Sequence, residues 1–369
     1  MKKILFVVPE DYGFISHRST IAEKLIKSGW RVILLTRVNK HADEIKKLGV
    51  TLIELNQTSG SRHSGVFRTV LRLFKVYKKE KPDIVHHFTI RMAILGSIAA
   101  RFYGRGHIVN TITGLGSVFV FNEIKYRILR ALVTFILKRN LRYSITTVQN
   151  HDDYNFIKNI ITADTELCLI LGSGVDTNRY YPVTKDMHTP IVALPARMLW
   201  VKGVREFVEA AKILKEQSVK SRFVLIGDND DNNPASINRK QLTEWQDSGV
   251  VEWWGHCEDM QTVLSKVDIV CLPSYREGLP KSLLEAAAAG LPIVTTDVPG
   301  CKEAVEDKMN GFLVTPRSPE SLVEPLQSLL KSPEMRLRMG KYGRNMAESK
   351  FCSNIIDTKF INVYKKLTS

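Results

Sequence analysis

Short apolar runs recur along the first half of the chain: Ile4–Val8, Arg31–Thr36, Thr51–Leu55, Asp83–Phe88, His107–Thr113, Ser144–Gln149 and Leu167–Leu171. They are rich in Val, Ile and Leu and largely continuous rather than alternating. A strand with that pattern is buried on both faces, as in a parallel sheet. The stretches between them, such as His17–Lys27 and Val66–Lys79, place apolar residues at helical spacing. Strands separated by helices predict a Rossmann-like α/β domain.

The pattern breaks at Gly172-Ser173-Gly174-Val175-Asp176-Thr177-Asn178-Arg179-Tyr180-Tyr181-Pro182, which has turn formers and no period. A polar stretch to Pro190 follows and reads as a linker. The alternation then resumes, with strands at Ile191–Pro195, Phe223–Gly227, Val250–Gly255, Asp268–Pro273, Pro292–Asp297 and Phe312–Thr315 and a helix at Val204–Leu214. The segment from about Glu334 to Lys366 reads as one helix. The predicted domains are 1–182, 183–350 and a terminal helical segment 351–369.

Composition refines this picture. The length of 369 residues suits two cores, and 44% apolar with 25% charged residues is ordinary for a globular protein. No uncharged apolar stretch reaches the ~18 residues that would span a bilayer. The opening Met1–Val8 runs straight into Pro9, Glu10 and Asp11, so it reads as a buried strand rather than a signal peptide. The five scattered cysteines, with no Cys-x-x-Cys, fit a reducing cytosol and argue against a zinc site.

The net charge of +15 is unevenly placed. Residues 1–180 hold 28 basic and 14 acidic side chains, an excess of +14; the rest hold 25 and 24. Such a field calls for an anionic partner: membrane lipid, a phosphorylated acceptor or nucleic acid. Two segments combine apolar helical spacing with many cations. Phe67–Lys79 carries Phe67, Val70, Leu71 and Phe74 among Arg68, Arg72, Lys75, Lys78 and Lys79. Tyr126–Arg142 carries Ile128, Leu129, Leu132, Val133, Ile136 and Leu137 among Arg127, Arg130, Lys138, Arg139 and Arg142. Each can lie on an anionic membrane or pack its apolar face on the sheet. Nothing resembles a recognition helix or an aromatic RNA motif, so nucleic acid is the least favoured partner.

The chemistry concentrates in Glu277-Gly278-Leu279-Pro280-Lys281-Ser282-Leu283-Leu284-Glu285. A strand ends just before Glu277 and a helix begins near Pro280, so Glu277 stands on the loop and Glu285 on the first turns of the helix. Backbone N–H groups at that helix start attract phosphate, and carboxylates accept hydrogen bonds from sugar hydroxyls. Two glutamates alone would suit any α/β surface, but diphosphate and hydroxyl recognition together describe a nucleotide-sugar. Arg197 and Lys202-Gly203 follow the first strand of the second half, at the sheet edge where ligands bind.

This block resembles the signature of retaining glycosyltransferases of family 4: Glu, seven residues, Glu, then the small-residue helix Glu285–Gly290 and the strand Leu291–Asp297. Arg, five residues earlier than Lys-Gly, matches as well. The resemblance covers essentially the whole chain and implies the GT-B fold, α/β with two Rossmann-like domains facing a cleft and a C-terminal helix crossing back to the first. It implies that Arg197 and Lys202 contact the donor diphosphate, Glu277 the donor sugar and Glu285 the ribose. It further implies that Gly278, Leu279, Pro280, Lys281 and Ser282 line the donor site, although Pro280 has no N–H, and that Gly255 and His256 frame the base.

In the first half, Tyr12-Gly13-Phe14 stands where the family often has adjacent glycines near the donor phosphates, and His17 and Arg18 open the next helix, near phosphate or acceptor. Many members carry His-Gly where this chain has Thr113-Gly114, followed by Leu115-Gly116-Ser117. His86-His87 could substitute or could be buried strand residues. The Gly-Leu-Gly-Ser form resembles a bacterial subgroup that adds N-acetylhexosamines during lipid-linked oligosaccharide or surface-polysaccharide assembly. Asp228-Asn229-Asp230 spells a metal-binding Asp-x-Asp, but Arg197 and Lys202 can stand in for a metal, so no metal or other cofactor is expected. The implied enzyme takes a UDP-sugar as substrate, has a polyprenyl-diphosphate-linked sugar as acceptor, and works at the inner face of the cytoplasmic membrane. Another hexose donor, a soluble acceptor, or a UDP-sugar epimerase of the same fold are the alternatives.

Overall fold

A computed structural model describes residues 1–55, 62–120, 123–162, 165–184, 188–230 and 233–368; the side chains of 62–64 and 117 lie outside the description. The predicted linker at 182–190 therefore lies partly outside it, as does the side chain of Ser117. The chain divides into two units, Met1–Ser173 with Asn354–Ser369, and Gly174–Ser353. The division falls nine residues before the predicted boundary at 182, and the return at Asn354 rather than 351.

In the first unit the elements are β1 (Lys3–Glu10), α1 (Asp11–Lys27), β2 (Arg31–Arg37), α2 (Ala42–Lys47), β3 (Thr51–Glu54), α3 (Arg62–Glu80) and β4 (Ile84–Phe88). They continue through α4 (Ile90–Tyr103), β5 (His107–Ile112), α5 (Ile124–Leu141), β6 (Ile145–Val148), α6 (His151–Ile160) and β7 (Leu167–Leu169). All neighbours pair in parallel, in the order β3-β2-β1-β4-β5-β6-β7. The continuous apolar runs have a direct cause. Ile4, Phe6 and Val8 of β1 face one core with α1, while Leu5 and Val7 face another with α3 and α4.

The second unit contains β8 (Ile191–Pro195), α7 (Val204–Glu216), β9 (Arg222–Ile226), α8 (Arg239–Asp247), β10 (Glu252–Gly255), α9 (Met260–Leu264) and β11 (Ile269–Leu272). It closes with α10 (Lys281–Ala288), β12 (Ile293–Thr296), β13 (Gly311–Val314), α11 (Glu320–Lys331) and α12 (Pro333–Met346). Its sheet is also parallel, in the order β10-β9-β8-β11-β12-β13. In α7 the buried Val204, Phe207, Val208, Ala211 and Leu214 recur at helical spacing and cover this sheet. The architecture is two Rossmann-like halves, as expected.

The expected single terminal helix is two. After α12 come one π-helical turn (Ala347–Phe351) and an extended Cys352, and then α13 (Ser353–Thr368). The break has a partner. Val175 N–H donates to the Phe351 carbonyl at 2.8 Å, and Ser353 N–H donates to the Val175 carbonyl at 2.9 Å. Beyond the break, α13 belongs to the first unit, where Ile356, Phe360 and Tyr364 enter the core beside α1.

Candidate functional site

In each parallel sheet the strand order reverses once, and ligands of such folds sit beyond the strand ends at that point. In the second unit the reversal lies between β8 and β11. The loop after β8 carries Arg197 and Lys202; the loop after β11 carries Glu277. The topology therefore brings Lys202 and Glu277 together although 75 residues separate them, with Arg197 on the same loop as Lys202.

Two glycines set the approach. Gly203, with φ +72°, starts α7 against the end of β11, and a Cβ there would lie 2.1 Å from the Pro273 carbonyl oxygen. Gly300, with φ +83°, packs on the loop after β11, where a Cβ would lie 2.4 Å from the Glu277 backbone carbonyl oxygen. Only a residue without a side chain fits either place. The Glu277 N–H donates to the Pro299 carbonyl at 3.0 Å, which pins the loop from the other side.

The Lys202 ammonium donates to Glu277 Oε1, and Ser274 Oγ donates to the same oxygen at 2.8 Å. Lys202 and Glu277 side chains are 20% and 13% exposed, so the pair is sheltered yet reachable. Arg197 is exposed, and its Nη1 lies 3.3 Å from Asp230 Oδ2. The second aspartate of the Asp-x-Asp is thus engaged with an arginine, while the Asp228 carbonyl accepts from Met198 N–H at 3.0 Å. Among the described residues no group of three His, Cys, Asp or Glu side chains is clustered for a metal.

Gly278 follows Glu277, Leu279 is buried, and Pro280 is the N-cap of α10, with φ −68° and extended ψ. Lys281 and Ser282 form the first turn, where N–H groups point out of the helix start. Glu285 lies one turn on and is only 8% exposed. Burial pushes its carboxyl pKa up, against the opposing pull of Lys281, Tyr180 and Arg179. Lys281 Nζ lies 3.7 Å from Glu285 Oε1, and burial pushes the lysine pKa down. Gly255 and the exposed His256 end β10, three strands from β11, about 14 Å away at the usual strand spacing. They share the sheet edge with Glu277 but do not adjoin it.

A further support escapes sequence reasoning. Arg344 of α12 donates to the carbonyls of Ala288 at 2.7 Å and Thr177 at 2.9 Å, and also to that of Tyr180 at 2.5 Å. It fastens the Thr177–Tyr180 turn to the C-terminus of α10, which carries Glu285. No local pattern announces an arginine whose partners lie 56 to 167 residues away.

The first unit corrects several expectations. Gly13 and Phe14, which precede the helix expected from His17, lie in the first turn of α1, which begins at Asp11 directly after β1. Phe14 is fully buried in the core and cannot approach a ligand. His17 and Arg18 sit in the second turn rather than opening the helix. His17 Nδ1 bonds Ser173 Oγ at 2.8 Å. Arg18 is 4% exposed, with its guanidinium 4.4 Å over Phe88 and 5.1 Å over Phe360 of α13. Burial lowers its pKa to about 10. Arg18 is a packing residue of the first unit.

His86 and His87 are buried strand residues and do not stand in for a ligand-facing histidine. His86 bonds Tyr364 Oη of α13 at 2.6 Å and Thr111 Oγ1 at 2.7 Å. His87 bonds Tyr77 Oη at 2.9 Å and Asn110 Oδ1 at 2.8 Å. Burial depresses both pKa values, that of His87 to about 4. Thr113 and Gly114 follow β5 in an open loop, with Gly114 at φ +133°. At this unit's own reversal point, between β1 and β4, Thr89 holds φ +80° and ψ 152°, a conformation β-branched residues seldom take.

The comparisons with known proteins agree with this architecture. A family model described as glycosyl transferases group 1 matches residues 182–346, and one described as glycosyl transferase 4-like matches residues 3–150. An N,N'-diacetylbacillosaminyl-diphospho-undecaprenol alpha-1,3-N-acetylgalactosaminyltransferase of Campylobacter jejuni is 27% identical, covering 96% of this chain and 98% of that protein. A UDP-Gal:alpha-D-GlcNAc-diphosphoundecaprenol alpha-1,3-galactosyltransferase of Escherichia coli is 28% identical over 75% of this chain and 74% of its own. Among solved structures, sucrose-phosphate synthase from Thermosynechococcus elongatus superposes with a TM-score of 0.84 at 19% identity, covering 100% and 99% of the two chains. Anabaena HepE in complex with UDP gives 0.79 at 16% identity, covering 99% and 100%. These two show the fold. With both halves matched by glycosyltransferase families and both built as GT-B halves, the chain belongs to the family-4-like, group 1 glycosyltransferases.

Proposed function

We propose that this enzyme is a retaining, metal-independent transferase that moves an N-acetylhexosamine from UDP to a polyprenyl-diphosphate-linked sugar, at the inner face of the cytoplasmic membrane. The observation that carries the reading is the Lys202–Glu277–Ser274 cluster at the strand reversal, ahead of the α10 N-terminus, with Arg197 on the same loop as Lys202. Sugar transfer from UDP separates a diphosphate from an anomeric carbon. The diphosphate gathers negative charge as the bond breaks. Fixed cations and aligned N–H groups stabilise that charge without reorganising. Arg197, Lys202 and the N–H groups of Lys281 and Ser282 are suited to that task.

Glu277 has two duties in this scheme. It holds the Lys202 ammonium in place, and its other oxygen accepts from a hydroxyl of the donor sugar. Glu285 accepts from the ribose hydroxyls, and Gly255 with His256 lies toward the base. Thr113, Gly114 and Ser117, with His17 near the same edge, form the acceptor side. The lipid-linked diphospho-sugar named in the relatives' activities supports the acceptor class.

The test supplies the purified protein with radiolabelled UDP-N-acetylgalactosamine and UDP-N-acetylglucosamine, with and without an undecaprenyl-diphosphate-linked sugar. Label passing to the lipid-linked sugar, with the anomeric configuration of the donor kept, is the expected result. Conversion of donor without acceptor points to an epimerase instead, and inversion removes the retaining assignment.

A further inference from the structure

Helix α5 has apolar side chains on both sides. Its inner side is accounted for: Leu137 and Leu141 pack with Ile112, Val148 and Ile157 beneath them. Its outer side holds Ile124, Ile128, Leu132 and Phe135, which are 73%, 68%, 53% and 56% exposed. The spacing of four, four and three residues puts them in one stripe along more than three turns. A solvated helix needs no such stripe; a contiguous exposed apolar face marks an interaction surface.

Charge chooses the partner. Ile124–Leu141 contains five basic and no acidic residues. On the helical wheel, Arg127 and Lys138 flank one border of the stripe and Lys125 the other, while Arg139 lies in line with the stripe one turn beyond Phe135. Arg139 lies 4.9 Å over the Phe135 ring, a cation on an apolar body. Lys125 is paired with Glu123 at 2.7 Å, so the other border carries more of the field. There, between α5 and α6, runs an open groove of about 560 Å³ whose lining includes Arg127, Arg130, Lys138, Phe135 and Ile160. A second copy of the same face would oppose cation to cation across a two-fold axis. A nucleic acid would leave the apolar stripe in water. An anionic bilayer satisfies both features, taking the stripe among its acyl chains and the cations among its headgroups.

The geometry points to the outer face of α5 as the docking surface for anionic phospholipid, and we propose that it seats there with a lipid phosphate in the α5–α6 groove. The inference rests on the proposed lipid-linked acceptor in one respect: α5 follows β5, so its N-terminus lies at the strand-end edge that also bears Thr113 and Gly114. Ile124, at the start of the stripe, therefore brings the bilayer to the acceptor loop rather than to the opposite edge of the sheet.

Co-sedimentation of the full chain with phosphatidylglycerol and with phosphatidylcholine vesicles, at low and high salt, tests it. The unaltered protein binds the anionic vesicles, more weakly as salt rises. Reversing Arg127 and Lys138 to Glu lowers partitioning at least about tenfold at low salt, since each cation near such a surface contributes about a fivefold factor. Ile128→Ser with Leu132→Ser abolishes the part that salt does not remove. Lys240→Glu with Lys331→Glu, on the second unit, changes neither. Failure of the unaltered protein to bind either vesicle, or unchanged binding by both α5 variants, overturns the proposal, as does a stable dimer that the α5 substitutions dissolve. Thermal unfolding of each variant confirms that it is folded. Transfer to a short-chain, water-soluble diphosphate-linked acceptor separates the two readings. The α5 variants keep that activity, whereas absence of transfer by the unaltered protein that still binds vesicles refutes the acceptor assignment alone.

Discussion

β4 and β11 hold the same place in their sheets, each just past the reversal of strand order, and each delivers titratable groups near its end. The outcomes are opposite. On β4, His86 and His87 lie within the strand, fully buried and bonded to Tyr364, Thr111, Tyr77 and Asn110. On β11, Glu277 stands five residues beyond Leu272, half-sheltered and bonded to Lys202 and Ser274. Position along the strand decides the role. Inside the strand a polar ring is enclosed by the helices on the sheet and becomes a fastening. A few residues further it clears the helices and can meet a ligand. The charge follows suit: the first unit carries 30 basic against 14 acidic residues and the second 23 against 24, yet the paired, sheltered charges near β11 belong to the nearly neutral unit.

The sharpest way to test the contrast is to remove a group from each side. Lys202→Ala and Arg197→Ala are expected to lower kcat more than they weaken UDP-sugar binding, by about 2–4 kcal/mol of barrier, with unfolding little changed. Single-turnover kinetics with donor titration measures this, and near-normal turnover in both variants would remove the diphosphate assignment. Glu277→Gln is expected to reduce turnover, whereas Glu285→Gln mainly weakens UDP affinity.

On the histidine side the readout is stability. A histidine whose pKa is depressed on folding takes up protons more readily when unfolded, so stability is full above the unfolded value and falls as pH drops through it. For His87, with a folded pKa of about 4, the loss by pH 5 is roughly 2 kcal/mol. His86 adds in the same direction. Denaturant titrations at pH 7 and pH 5 are expected to show the first unit unfolding earlier in acid, and His87→Gln to flatten that dependence. Equal acid sensitivity of both units would contradict the contrast.

A smaller effect is expected from Tyr364→Phe, which removes one oxygen and leaves His86 Nδ1 buried without it. The cost is about 1–3 kcal/mol in unfolding free energy, with kcat unchanged, because the contact fastens α13 and not a ligand. Glu285 provides a directional test. Its pKa is raised by burial, so as pH falls it loses its charge sooner than an ordinary carboxylate. UDP affinity is expected to weaken with acidification from a higher pH than a surface glutamate would give, and Glu285→Gln to lack that dependence in calorimetric titrations. The smallest effect is none at all: EDTA is expected to leave turnover unaltered, and rescue by Mg²⁺ or Mn²⁺ would return Asp228 and Asp230 to consideration as ligands.

What the sequence made legible follows the range of each interaction. The thirteen strands among the described residues are readable, most of them because burial on both faces writes continuous Val, Ile and Leu runs into the chain; the edge strand β10, partly buried and carrying Trp253 and Trp254, is the exception in composition. The Glu277–Glu285 block is readable because loop and helix start are local. The start of α1 is not. Gly13 lowers helix propensity, and Asp11 looks like a loop residue, whereas it is buried and accepts from the N–H groups of Asn39 at 2.6 Å and His41 at 3.0 Å. The packing role of Arg18, and Tyr364 and Arg344 altogether, are illegible for the reason that makes them useful: their partners are distant in sequence and nothing nearby encodes them.

The pairing of Val175 with Phe351 and Ser353 has a consequence for how the chain can be cut. Residues 174–353 leave and re-enter the first unit through two segments hydrogen-bonded to each other, so the second unit is an insertion whose ends already touch. Excising it as a single cassette and joining residues 1–173 to 354–369 by a short flexible bridge keeps α13, with Tyr364, in the same chain as its partner His86. A fragment stopping at Ser173 lacks Ile356, Phe360 and Tyr364 from its core. The first unit is therefore discontinuous in sequence, and an expression boundary drawn at any single residue divides it.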